Sequence, residues 1–238
     1  MPHIYDFDHK RTYIYIPTLS NEPYMCREFS EQFKNVESRY FHEGRILNTS
    51  LTFQQQIESA FRAIGFENLL TINEQICPRF ILDFFCEVDL VQNEDHSFSL
   101  WFWIQEYKFL LPLEQFAQIL GLPNLGQYAY SEKFSLDSLS VEENGPYHSY
   151  VPSPQELISV LCNLSEIQNP NRIRIVELRY FLQPMAVILR ENVLSLVGNH
   201  EYLPASCAHM LYCIVLRQPY NLTYFFAKRF MSKTKETN

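Results

Sequence analysis

The densest group of potential metal ligands in this chain lies within residues 200–213. It consists of two imidazoles and two thiols, side chains that hold zinc in tetrahedral protein sites, namely His200, Cys207, His209 and Cys213. Known zinc modules place paired ligands about two to four residues apart around a turn, and this spacing does not match them. On a helix, Cys207 and His209 would lie about 200° apart, so one ion could not bind both. We therefore interpret the segment as a buried helical face and expect no metal.

A second group is acidic and adjoins an apolar stretch. Asp83 and Glu87 are four residues apart, which would place them on one helical face, as in a metal-binding or acid–base pair, and Asp89 follows. The alternative is an exposed stripe on a helix whose other face enters the core. The pattern favours this alternative, because like-charged carboxylates are common on amphipathic helices. A metal-dependent nuclease that uses Asp83 is the enzyme hypothesis that the group leaves open.

The motifs of common catalytic sites are absent from the sequence. There is no Gly-x-Ser-x-Gly elbow, no Walker loop, no Gly-x-Gly-x-x-Gly and no His-Glu-x-x-His. Glycine, on which phosphate-binding loops depend, contributes only 6 residues. We therefore predict a non-enzymatic protein with no catalytic residue and no cofactor.

Aromatic side chains are concentrated in residues 98–104. Apolar residues alternate there with Ser99, Trp101 and Trp103, which is the period of a β-strand with two partly apolar faces. Such rings can stack on the bases of single-stranded nucleic acid, but that mode also needs a basic groove, and Lys108 is the only nearby cation. Core or interface packing is the interpretation that the pattern favours.

The only basic run of the chain is its C-terminal tail. After residue 216 there are five basic residues against a single acid, whereas the whole chain has a net charge of −8 and a pI near 5.4. A globally acidic chain is a poor match to non-specific nucleic-acid binding, and a helix end whose cations suit the helix dipole is the alternative interpretation of the tail. The hypothetical nucleic-acid site comprises Lys228, Arg229, Lys233 and Lys235 of the tail, with Trp101 and Trp103.

The spacing of apolar residues predicts a mainly α fold. Apolar residues recur at helical spacing from Met25 to Tyr40, in a helix that Pro23 would begin and Gly44 would end. Further helices are expected at 53–64, 78–87 (within 72–88), 113–120, 155–164, 178–196, 205–216 and 222–232. Two apolar runs around a polar turn predict one small antiparallel β-hairpin near residues 98–111. The expected fold is a multi-helix globular domain with this single hairpin.

A segment rich in Asn, Gly, Ser and Pro divides the chain. This segment, 124–153, is the best candidate for a linker or long loop. We therefore predict four parts: an extended lead-in at 1–20, an N-terminal helical lobe with the hairpin at 21–123, the loop, and a C-terminal helical lobe with the basic tail at 154–238.

Composition predicts a soluble, compact protein. The chain has 238 residues, of which 47% are hydrophobic and 15% aromatic, enough to build a core. No apolar run reaches the ~20 residues that span a bilayer, and no apolar signal region follows Met1. The six cysteines lie among apolar neighbours and suit reduced core positions. We expect an intracellular protein, cytoplasmic or nuclear, that is neither secreted nor bound to a membrane.

Five blocks of the sequence resemble a family of plant transposon proteins. They read PRFILDFFCEV at 78–88, LEQFAQILGLP at 113–123, RENVLSLVGN at 190–199, PASCAHMLYC at 204–213 and YNLTYFFAKR at 220–229. The resemblance extends over residues 20–232 and includes the order of the blocks. The second block is also distantly similar to the plant mobile domain, another transposon-associated module.

The resemblance implies an origin in a plant retrotransposon, in whose open reading frames this domain stands alone or within a polyprotein. It carries over no catalytic residue, and the chain has no protease, polymerase, integrase or zinc-knuckle segment. Two functions are then expected. The first is a gag-like or accessory protein-interaction domain that self-associates or binds element-encoded proteins. The second is a nucleic-acid-binding accessory that uses the basic tail.

Overall fold

The computed structural model describes residues 13–14, 41–42, 54–71, 78–104, 107–131, 133–140, 150–163, 167–194 and 201–235. Its helices are α1 (Gln54–Arg62), α2 (Pro78–Glu87), α3 (Leu113–Leu120), α4 (Pro154–Leu161), α5 (Gln183–Ile188), α6 (Ala205–Leu216) and α7 (Leu222–Lys235). Its strands are β1 (Tyr13–Ile14), β2 (Phe41–His42), β3 (Asp89–Gln92), β4 (Phe98–Ile104) and β5 (Tyr107–Pro112). Each helix within these residues is too short or too polar to cross a lipid bilayer.

The predicted fold class is confirmed. Helices dominate the described residues, and the main β-structure is a three-stranded antiparallel sheet in which β4 lies between β3 and β5. β4 and β5 form the predicted hairpin. The third strand was not predicted, because its four residues, Asp-Leu-Val-Gln, are too few to show the strand period.

Most predicted helices are found, with ends within a few residues of those expected. α4 begins at a capping box: the Glu156 N–H donates to the Ser153 hydroxyl at 3.3 Å, and the Ser153 N–H donates to the Glu156 carboxylate at 2.9 Å. α3 ends before Gly121, whose φ of +59° is the left-handed conformation expected of a glycine cap. The Asn68 amide donates to the Gly121 carbonyl at 3.1 Å. The helix predicted at 25–40 lies outside the described residues.

The helix predicted at 178–196 differs in its start and in its geometry. A 3-10 turn at Tyr180–Leu182 precedes α5, and Pro184 lies in the first turn of α5. Proline suits a first turn, because the N–H that it lacks would have no helical partner there. A π-helix at Leu189–Val193 follows α5 directly. The side-chain amide of Asn192 in this π-helix donates to the Leu69 carbonyl at 3.2 Å.

The chain forms two compact units, each built from separated stretches of sequence. Unit 1 comprises 1–9, 44–72 and 121–222, and unit 2 comprises 10–43, 73–120 and 223–238. These boundaries differ from the sequential lobes expected on either side of 124–153. The physical reason is that the C-terminal helix belongs to the core of the sheet-containing unit, while the chain after residue 120 belongs to the unit that contains α1.

Unit 1 has its core around α6. Ten consecutive residues of this helix, from Ala205 to Ile214, are buried, and the helix packs against α4 and α5. A helix that is apolar around its whole circumference is expected at the centre of a domain. Tyr220 is fully buried as well, and its hydroxyl donates to the Ala129 carbonyl at 3.3 Å, which satisfies its polar end.

Unit 2 is held together by phenylalanine rings. Phe230 of α7 contacts Phe84 and Phe85 of α2 with ring centroids 5.2 and 5.6 Å apart, and Phe116 of α3 at 6.2 Å. All three pairs are edge to face, an arrangement that the quadrupoles of aromatic rings favour. Phe84 also contacts Phe102 of β4 at 5.0 Å, so the cluster attaches these helices to one face of the sheet.

Candidate functional site

The central strand of the sheet in unit 2 is the aromatic strand β4. On one side β3 places Asp89 opposite Trp101. On the other side β5 places Leu110 opposite Trp101 and Lys108 opposite Trp103. Because paired residues share a face and side chains alternate along each strand, these five side chains lie on one face of the sheet. The structure thus brings the two predicted site residues, Trp101 and Trp103, together.

The opposite face of the sheet packs against helices. Leu100 and Phe102 are buried there, and Phe102 contacts Phe84 of α2. Phe98 contacts Tyr224 of α7 with ring centroids 5.6 Å apart. β4 therefore has one face in the core of unit 2, and its tryptophans lie on the other face.

We call this other face the tryptophan face, and it consists of Asp89, Val91, Trp101, Trp103, Lys108 and Leu110. The two indole rings are half-buried and contact each other edge to face, with ring centroids 6.4 Å apart. The Lys108 ammonium lies 4.9 Å from the centroid of the Trp101 ring, within cation–π range. The face thus presents two large rings and one cation, and beside them Leu110 is 59% exposed.

β5 is an exposed edge strand. Five of its six residues are exposed, among them Tyr107 (69%), Phe109 (42%) and Leu110 (59%). Within the described residues, β4 is the only strand that pairs with β5. An edge strand with apolar side chains is a template for pairing with a further strand.

The charges of the sheet region are mainly negative. Residues 89–112 contain four acids and one lysine, Lys108. At the β3–β4 turn the Asp95 carboxylate accepts from the Ser97 hydroxyl at 2.6 Å and from the Ser97 N–H at 3.0 Å. These two hydrogen bonds lower the pKa of Asp95, so this carboxylate is ionised at neutral pH. A phosphate backbone would meet more anions than cations here.

The predicted basic residues of the tail belong to α7. Arg229 is 8% exposed, and Lys228 is half-buried with its ammonium 5.6 Å from the centroid of a tyrosine ring. Lys233 and Lys235 lie in the last turn of the helix, and their side chains are outside the described residues. Phe230 lies among these cations and belongs to the phenylalanine cluster. The burial of Arg229 removes most of its side chain from any surface that a phosphate backbone could contact.

Three of the four potential zinc ligands lie on α6. His209 is 1% exposed, and Cys207 and Cys213 are fully buried, whereas His200 lies outside the described residues. Burial raises the pKa of Cys213 to about 12, which keeps its thiol protonated and lowers its value as a ligand. Among the described residues, no three His, Cys, Asp or Glu side chains are grouped to hold a metal ion. The predicted buried helical face is confirmed.

The acidic group on α2 differs from expectation. Asp83 is 3% exposed, so the prediction of an exposed acidic stripe is wrong at this position. The reason is that only three of the ten residues of α2 are charged, which leaves the helix apolar around most of its circumference. Burial raises the pKa of Cys86 to about 12, and the negative charges of Asp83 and Glu87 add to this effect. Asp89 is exposed and begins β3.

Sequence reasoning missed the contribution of β3 and β5 to the tryptophan face. Val91 and Leu110 join Trp101 and Trp103 only through the register of the strands. The predicted hairpin joined β4 to a return strand, but the register in which Leu110 lies opposite Trp101 was not predicted. No local pattern indicated β3.

Comparison of the chain with models of known protein families found no match, and comparisons with curated proteins and with solved structures found none either.

His209 offers a test of how completely α6 is buried. Its ring contacts Tyr220 edge to face at 5.4 Å, and its Nδ1 has no hydrogen-bond partner within the part of the chain that the structure describes. Burial lowers the pKa of His209 from an ordinary value of 6.5 to about 4. The imidazole is therefore neutral in the folded protein at pH 5, where it would be protonated in the unfolded chain.

We expect the free energy of unfolding to fall as the pH is lowered below about 6.5. The unfolded chain then binds a proton at this imidazole and the folded chain does not, so the stability present at neutral pH is lost progressively toward about pH 4. Urea unfolding should show a loss of about 2 kcal/mol between pH 7 and pH 5. His209→Leu should abolish this loss, whereas His96→Asn, on the exposed β3–β4 turn, should preserve it. An unchanged pH dependence in His209→Leu would contradict the burial of a neutral imidazole.

Proposed function

We propose that this chain is a non-enzymatic protein-interaction domain, gag-like or accessory in role and derived from a plant transposable element, that associates with further copies of itself through the sheet of unit 2. The observation that carries the proposal is the tryptophan face with its exposed neighbour β5. The chain has 2 tryptophans, and both lie on this face. Apolar surface concentrated in this way is characteristic of interaction sites.

The chemistry of the surface suits a protein partner. Protein interfaces are enriched in Trp and Tyr at their centre and place charged residues at their rim. Here Trp101 lies between Asp89 on one neighbouring strand and Leu110 on the other, with the Lys108 ammonium against its ring. The surface therefore combines an apolar centre with one charge of each sign, an arrangement that a second protein surface can match.

The origin in a retroelement is supported by the five sequence blocks. The block at 78–88 contains the whole of α2, and the block at 113–123 contains α3 with its glycine cap, so both correspond to structural elements. We expect the genomic locus that encodes this chain to carry terminal repeats or neighbouring reading frames of a mobile element. Sequencing the locus tests this. A locus without any such remnant would refute the origin and leave the interaction proposal intact. The proposal places the protein in the cytoplasm or the nucleus.

We expect the mass measured by light scattering to rise with protein concentration above the 28.3 kDa of one chain. Hydrogen exchange should locate the contact, because association through the sheet slows the exchange of amides in residues 98–112. The amides of α6 in unit 1 are the internal control and should exchange at the same rate at every concentration. A mass of one chain throughout the series would refute self-association, and protection confined to other segments would refute the role of the sheet.

A second candidate function is that of a nucleic-acid-binding accessory. It is favoured by one observation, namely two indole rings side by side on a sheet with a lysine against one of them. Single-strand-binding proteins use such rings as stacking platforms beside basic grooves. The acids of the sheet region and the burial of Arg229 count against this function.

We expect little binding of a single-stranded oligonucleotide in fluorescence anisotropy at moderate salt. The suitable variant is Lys233→Gln with Lys235→Gln rather than a deletion of the tail, because a deletion would also remove Phe230 from the phenylalanine cluster. Saturable binding by the wild-type chain would support the second function instead, if the double variant binds more weakly and its binding depends less on salt concentration. Glu114→Gln, at an exposed position of α3, is a control for general changes of charge.

A further inference from the structure

We infer that two copies of the chain pair edge to edge through β5, so that their sheets join into one six-stranded antiparallel sheet. The inference rests on the proposed self-association and specifies its contact. Its starting point is β5, an edge strand with five exposed residues of six and with no second strand beside it in the described part of the chain. The backbone N–H and C=O groups along such an edge can form hydrogen bonds with a strand of a second copy.

The two edges of the sheet differ in their protection. β3 has a carboxylate at its start, Asp89, and an exposed amide at its end, Gln92, and the turn after it adds Glu94 and Asp95. Charged and polar side chains of this kind keep an edge from pairing. β5 has a single charge, Lys108, among apolar residues. β5 is therefore the longer and more apolar of the two edges, although it contains Lys108 and ends at Pro112.

A second copy fits β5 because the strand can pair with itself. About a two-fold axis perpendicular to the sheet, antiparallel pairing that centres on Phe109 places Tyr107 opposite Leu111 and Lys108 opposite Leu110 of the other copy. Pro112, which has no N–H to donate, then lies beyond the paired residues. Centring the axis on Leu110 instead would bring Pro112 into the ladder. The structure thus favours the register centred on Phe109.

This register also suits the rings and the charges. Phe109 already stacks on Phe102, with ring centroids 5.3 Å apart and an angle of 12° between the planes, and the second copy would extend this row by its own Phe109. The two Lys108 side chains lie on either side of the axis as diagonal neighbours, ~7–8 Å apart, and each is directly opposite an apolar residue. An axis centred on Lys108 would place the two ammonium groups directly opposite each other, which is unfavourable.

The dimer should be weak and reversible. Pairing along one strand buries less than the roughly 1,200 Å² of a stable interface, which is the size range of transient complexes. Each chain also carries a net charge of −8, and the repulsion between two copies opposes association. Added salt screens this repulsion and should therefore strengthen the wild-type dimer, whereas it weakens most nucleic-acid complexes.

Two substitutions at one exposed position test the contact. In the favoured register, Leu110→Glu places a carboxylate opposite Lys108 of the other copy, and Leu110→Lys places an ammonium there. Both replace the same leucine by a flexible charged side chain, so the main difference between them is the sign of the charge. Sedimentation equilibrium should show that Leu110→Glu dimerises on the order of tenfold more tightly than Leu110→Lys. The net charge of the chain alone predicts the reverse order, because Leu110→Glu makes the chain more negative.

Val176→Glu and Val176→Lys are the matched controls, since Val176 is 62% exposed and belongs to unit 1, outside the sheet and the tryptophan face. The dimer affinities of these two variants should differ only through the net charge of the chain, so the glutamate variant should dimerise slightly more weakly than the lysine variant. Equal weakening by both Leu110 variants would refute this register, because it is the result expected when Leu110 lies opposite itself. Self-association that all four variants leave unchanged would refute the β5 contact while the proposed function stands. A wild-type chain that stays a monomer at every salt concentration would refute both.

Discussion

The structure of unit 2 depends on one property of β4, which is that both of its faces are apolar. Leu100 and Phe102 need a hydrophobic core on one side, and α2 and α7 supply it through Phe84, Phe230 and their neighbours. The same strand places Trp101 and Trp103 on the other side. A core of phenylalanine rings thus fixes the position of the indole pair, because alternation along a strand leaves no other face for these side chains.

Much of the fold could be predicted from the sequence because its signals are local. Ser153 with Glu156, Pro78 and Gly121 mark helix ends through hydrogen bonds and backbone angles within a few residues, and the structure has those ends. The division into units was not accessible in this way. It depends on which core the C-terminal helix enters. Phe230 of this helix contacts Phe84 and Phe116, which lie more than one hundred residues earlier in the sequence.

The candidate site shows the same limit. Trp101 and Trp103 could be selected from their type and spacing, whereas Val91 joined them only when the register of β3 was known. Asp83 illustrates the opposite error, since its spacing from Glu87 suggested an exposed stripe. Its burial accompanies the apolar circumference of α2, in which only three of ten residues are charged, and the spacing of two carboxylates does not contain that information.

Edge pairing and the tryptophan face are compatible, because they use perpendicular directions of the same sheet. Hydrogen bonds between strands lie in the plane of the sheet, whereas Trp101 and Trp103 project out of it. A dimer joined through β5 would leave both indole pairs uncovered and place them on one side of a continuous six-stranded surface. Self-association would then enlarge the apolar surface that a third protein could contact, and the weak contact along one strand and the larger face would belong to a single mode of assembly.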